Sequence, residues 1–150
     1  MRVFDGIASL PDLVGEHLGH SDWHTITQEQ VDLFAEATGD HQWIHVDPER
    51  AAGGPFGGTI AHGYLTLSMI PMLGQQVYRF DNITMGLNYG SNKVRFPQAV
   101  KVGSRVRAGV QVAEVNPGTQ GTQVVFRYTI EIEGADKPAC VAETVVLLVP

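Results

Sequence analysis

The chain has 150 residues, 43% of them hydrophobic and only 17% charged, which is enough apolar material for one sizeable core in a single domain spanning residues 1–150. Its formal charge of −6 is spread along the chain, and its ten Lys and Arg residues form no run of the kind that marks a nucleic-acid arm. An anionic ligand would therefore need a local basic or backbone-donor site rather than a whole-protein field.

The opening MRVFDGIASL has one Arg followed by an acidic residue and too short an apolar stretch for a signal peptide or a membrane span, so a cytoplasmic protein is expected. From Thr27 to Ala37, apolar Val31, Phe34 and Ala35 fall at helical spacing, with Thr27 as N-cap, Gln30 three residues on and Gly39 just past the end. Residues 40–59 lack a period and contain Gly53-Gly54-Pro55-Phe56-Gly57-Gly58, which favours loop, with a single helical turn over Asp47–Ala52 because Pro48 suits a first helical position. His62–Val77 is apolar nearly all round and predicts a buried central helix, kinked or shifted by Pro71.

Period-two or continuous apolar runs over 83–96, 100–115, 122–133 and 139–149, separated by turn signals such as Asn116-Pro117-Gly118, predict four long antiparallel strands in a meander. The last of them carries Cys140, the only cysteine, so an intramolecular disulfide, a Cys zinc cluster and a CxxC motif are all excluded, and a reducing compartment is favoured. One buried helix ahead of such strands suggests an antiparallel sheet wrapped around it, an α+β arrangement of the hot-dog type.

Chemistry concentrates where Phe34-Ala35-Glu36-Ala37-Thr38-Gly39-Asp40-His41-Gln42-Trp43-Ile44-His45 leaves the first helix, because an acid and an imidazole emerge within five residues of each other. Such a pair can share one water and divide general acid and base work. Taken singly, Asp40 after Gly39 reads as a turn or cap residue and His45 as a satisfied, half-buried histidine.

The stretch resembles the motif of the MaoC-like dehydratase or hydratase-2 family: an aromatic residue, a small residue, Gly-Asp-x-Asn-Pro, an aliphatic residue, His, and a small residue six positions later. Phe34, Thr38, Gly39, Asp40, Ile44, His45 and Ala51 fill those places, while Gln42 stands where the family has Asn and Trp43 where it has Pro. Gln42 keeps a hydrogen-bonding amide one methylene longer. A second match, Gly57-Gly58-Thr59-Ile60-Ala61-His62-Gly63-Tyr64-Leu65, looks like the family's loop into the hot-dog helix, where a backbone N–H is the oxyanion donor. Free N–H groups at a helix start suit that role, and Gly63 allows a ligand close to the backbone.

The resemblance implies an (R)-specific trans-2-enoyl-CoA hydratase, equally an (R)-3-hydroxyacyl-CoA dehydratase, with Asp40, His45 and the Gly63 N–H as its catalytic groups. It implies no cofactor, no metal, a CoA thioester as substrate and a homodimer with the site near the interface. Gln42, Ile60, Ala61, His62, Gly86, Leu87, Asn88, Tyr89, Pro97, Gln98 and Ala99 are candidates to line the substrate tunnel. His62 reads more simply as a helix-start residue bonded to its neighbours, and Tyr64, Leu65, Met69 and Met72 as core.

Three other readings compete. A hot-dog thioesterase would want a carboxylate on the central helix, and residues 63–76 contain neither Asp nor Glu. A metal-dependent hydrolase could use Asp40, His41 and His45, but Gly39 breaks the helix and no glutamate lies between the histidines. An acyl-CoA-binding protein that keeps the fold without activity is left open by Gln42 and Trp43.

Overall fold

A computed structural model describes all residues, 1–150. The chain begins with strand β1 (Arg2–Asp5), a 3-10 turn at Leu10–Leu13 and the short strands β2 (His17–His20) and β3 (His24–Thr25). Helices α1 (Gln28–Thr38), α2 (Trp43–Val46), α3 (Pro48–Ala52), α4 (Gly63–Ser68) and α5 (Ile70–Gly74) follow. Strands β4 (Tyr78–Asp81), β5 (Met85–Arg95), β6 (Arg105–Pro117), β7 (Thr122–Ile132) and β8 (Cys140–Val149) complete it.

Helix α1 has the ends its sequence predicts. The Thr27 hydroxyl accepts from Gln30 N–H at 3.2 Å, and Gly39, at φ 79°, donates its N–H to Ala35 O to close the last turn. Asp47 caps α3 by accepting from Arg50 N–H at 3.0 Å. The expected loop over 40–59 contains, besides that turn, the additional short helix α2, whose four residues are too few to show a period.

The central helix is broken rather than continuous. Pro71 cannot donate to Leu67, and the path tightens at Met69, whose N–H reaches both Leu65 O at 3.0 Å and Thr66 O at 3.3 Å. Leu65, Met69, Ile70 and Leu73 are buried against the sheet, but Tyr64 and Met72 are exposed, contrary to their reading as core.

The main sheet has the order β2-β6-β7-β8-β5, with β3 also on β6, and all its pairs are antiparallel. It is not the expected meander: β5 pairs with β8, so residues 96–104 cross the end of the sheet to reach β6. The strand expected from residue 100 therefore starts at Arg105, because 100–104 bond to the loop before α4 instead, through Ala61 N–H to Val100 O and Val102 N–H to Thr59 O. A small parallel ladder, β1 on β4, was not signalled by periodicity; its strands have four residues each.

Inward side chains alternate along the long strands, with Val106, Ala108, Val110 and Val112 beside Ile132, Ile130, Tyr128 and Phe126 in one core. Cys140 lies inside that core, where burial pushes its thiol up to about 11. A sheet curled around a central helix is the hot-dog fold. None of the helices is long and apolar enough to cross a membrane.

Candidate active site

The end of α1, helix α2 and the strap before α4 converge on one spot. Helix α2 turns His45 inward, to 6% exposure, and its Nδ1 lies 2.7 Å from Ile60 O. A carbonyl can only accept, so Nδ1 carries the proton and Nε2 keeps a free lone pair, the form a general base requires. Burial holds this imidazole below its ordinary pKa and outweighs the Ile60 hydrogen bond, which raises it; neighbouring His62 lowers it further and Asp40 raises it.

His62 is 2% exposed and stacks on His45 with ring centroids 3.8 Å apart. Its Nε2 donates to Asp40 O at 3.0 Å, its Nδ1 has no partner, and Phe34 packs on it at 5.0 Å. It thus ties the helix start to the loop that carries Asp40 and does not line the pocket with His45. The Asp40 carboxylate is half exposed; one oxygen accepts from Gln42 N–H at 3.3 Å and the other lies 3.9 Å from His62 Nε2. Asp40 makes no direct hydrogen bond to His45.

A carboxylate oxygen of Asp40 and one ring nitrogen each of His45 and His62 lie within 4.8 Å of one another. These are the side chains that could offer ligand atoms to a metal. Stacked imidazoles, however, direct their in-plane lone pairs side by side rather than toward one point. His41 takes no part: it is exposed and pairs with Glu36 at 3.5 Å.

A pocket of about 260 Å³ opens beside His45, lined among others by Ile60, Ala61, Gly63, Phe96, Gln98 and Ala99. Gly63 is the first residue of α4, and the preceding His62 makes no side-chain cap, so its N–H is free of helical partners. A Cβ at Gly63 would come within 3.2 Å of the Phe96 ring, so glycine keeps the space between helix and ring open.

Of the other tunnel candidates, Gly86 and Asn88 line a second cavity farther along the helix, Tyr89 borders grooves on the outer face, and Leu87 and Pro97 are exposed. Gln42 meets Asp40 through its backbone N–H, a contact indifferent to the Asn-to-Gln departure. Trp43 packs under Arg50, whose guanidinium carbon lies 4.3 Å from the ring centroid, and against Gly54, so it anchors the loop in place of a proline.

One residue escaped the sequence reading. The Gln28 amide donates to His45 O at 2.8 Å and to Asp32 at 2.8 Å, and its oxygen accepts from the buried Thr59 hydroxyl at 2.6 Å. It clamps the backbone of His45 to the segment whose next residue, Ile60, fixes the His45 ring. A glutamine in the first turn of an amphipathic helix gives no signal of this.

Comparisons with known proteins place this hot-dog domain among the carbon–oxygen lyases of the dehydratase and hydratase class. The family description "MaoC like domain" matches residues 9–134, and the chain belongs to that family. It is 57% identical over 147 residues, 97% of each chain, to 3-hydroxyacyl-thioester dehydratase Z of Mycobacterium tuberculosis. Nodulation protein N of Rhizobium leguminosarum bv. viciae is 45% identical over 145 residues, 95% of this chain and 90% of that one. Among solved structures, the (R)-hydratase from A. caviae involved in PHA biosynthesis is similar at TM-score 0.74 and 27% identity, over 91% of this chain and 96% of that one.

Proposed function

We propose that the protein is an (R)-specific trans-2-enoyl-CoA hydratase and, in reverse, an (R)-3-hydroxyacyl-CoA dehydratase, acting as a single domain over 1–150 without a cofactor or a metal. The observation that carries this reading is the separation, under 4.8 Å, between a carboxylate oxygen of Asp40 and a ring nitrogen of His45. One water hydrogen-bonded to both at about 2.8 Å, with a tetrahedral angle between the bonds, spans about 4.6 Å. In hydration Asp40 and His45 hold that water at C3 and deliver a proton to C2 on the same face, while the Gly63 N–H takes up charge developing on the thioester oxygen. In dehydration the same groups work backwards.

The acyl chain follows the groove between α4–α5 and β5, past Gly86 and Asn88. We further propose a homodimer in the cytoplasm: β5 pairs with β8 on one side only and exposes Met85, Leu87 and Tyr89, an apolar edge that a second copy would cover. A thioesterase reading finds no carboxylate on the central helix.

The test is loss of the enoyl absorbance of crotonyl-CoA with wild type, Asp40→Asn and His45→Gln, together with the C3 configuration of the product. Formation of (R)-3-hydroxybutyryl-CoA by wild type alone is expected. Hydration that persists in both variants, or an (S) product, would overturn the assignment of residues or of stereochemistry.

A further inference from the structure

Helix pair α4–α5 and strand β5 run past each other in opposite directions. Phe96, just beyond the end of β5, stands over Gly63, while Gly86 and Asn88, near its start, share a cavity with Ile70, Pro71 and Gly74. The pocket at His45 and this second cavity of about 560 Å³ therefore follow one another along the same helical path, where Thr66 lines the first and Leu67 the second. From Gly63 to Gly74 the helical path advances roughly 16 Å, a length that an extended acyl chain of about a dozen carbons covers.

The second cavity is not a plain hydrocarbon pocket. Besides the apolar Leu67, Ile70, Pro71 and Val146, its lining includes Tyr78, Tyr128, Thr144 and Asn88. The Tyr78 and Tyr128 hydroxyls lie 2.8 Å apart and share one hydrogen bond, so of their two hydrogens one is left without a protein acceptor. Thr144 Oγ1 is buried with no partner at all. Burial pushes the Tyr128 phenol up to about 12 and that of Tyr78 well above its usual value, so both remain neutral donors. The helix gives way to these hydroxyls: a Cβ at Gly74 would sit 2.6 Å from the Tyr128 oxygen. No Lys or Arg lines the cavity, which is wrong for a carboxylate and right for a neutral oxygen.

We propose that this second cavity selects acyl thioesters whose chain carries a neutral oxygen, such as a hydroxyl, about a dozen carbons from the thioester, received by the Tyr78–Tyr128 pair and Thr144. The inference rests on the hydratase reading above and names the substrate class of that site. A hydroxyl pair with one hydrogen unused and a third hydroxyl with no partner are what such an oxygen would satisfy, and a plain chain would leave them unmet.

The intact protein is assayed with trans-2-dodecenoyl-CoA, its 12-hydroxy counterpart, and crotonyl-CoA, which is too short to reach the cavity. Wild type should show a kcat/KM for the hydroxylated chain about three- to tenfold above the plain one. In Tyr78→Phe and in Thr144→Val, isosteric changes on separate strands, the ratio should fall to parity. A wild-type ratio at or below parity, or a preference unchanged in both variants, overturns the proposal. Crotonyl-CoA hydration without turnover of, or discrimination between, the long chains overturns this inference alone. No turnover of any of the three substrates overturns the hydratase reading and this inference with it.

Discussion

At the catalytic end of the groove the polar partners are mostly backbone carbonyls: Ile60 O holds His45, Asp40 O holds His62, and His45 O is held by Gln28. At the far end they are hydroxyls of Tyr78, Tyr128 and Thr144 on three separate strands, two of them bonded to each other and one bonded to nothing. A carbonyl can neither rotate nor ionise, so it fixes one tautomer and one ring orientation, as proton transfer requires. A hydroxyl can rotate to donate or accept and suits recognition of a group whose position varies. On the proposed function, the contrast sets a rigid reacting end against an adaptable selecting end, both served by the pair α4–α5.

Substitutions should divide along that line. His45→Gln or Asp40→Asn should lower kcat/KM for a trans-2-enoyl-CoA by about 100-fold or more. Gly74→Ala at the other end should act on stability instead, because its methyl group meets the Tyr128 hydroxyl; a loss of about 1–3 kcal/mol in chemical denaturation is expected. An unchanged midpoint would mean that the two tyrosines move aside freely. Gln28→Ala should cost about tenfold in kcat, the scale of one hydrogen bond, and shift the acid limb of the pH–rate profile, which a purely structural loss would leave in place.

The smallest effect concerns pH. Burial holds His45 below 6.5, so as pH falls through 6.5 the unfolded chain takes up a proton before the folded one does. Stability should decline from that point down to the folded pKa and change no further on this account below it. Denaturation of His45→Gln across the same window should show a flatter slope; an identical slope would assign the dependence to other groups.

Much of this was legible in the chain. The caps of α1 and the turn after Asp47 follow from local chemistry, which requires no knowledge of distant partners, whereas Asp40, His45 and Gly63 stand out through their resemblance to the MaoC-like motif. What escaped depends on long-range geometry. The return of β5 to β8, the stacking of His62 on His45 and the reach of Gln28 to Thr59 join segments far apart in sequence. Exposure of Tyr64 and Met72 was missed because an all-apolar stretch does not reveal which side of a broken helix meets solvent.

The Gln28 clamp also bears on how the protein reaches its working form. Its contacts span 17 residues to His45 and 31 to Thr59, and the set is complete only once α1, α2 and the strap before α4 have docked together. Closing such loops is entropically costly and comes late. Catalytic competence is therefore a report on completed folding: a refolding chain should regain its helical signal ahead of its turnover, and a species whose strap has detached should keep the sheet while losing activity.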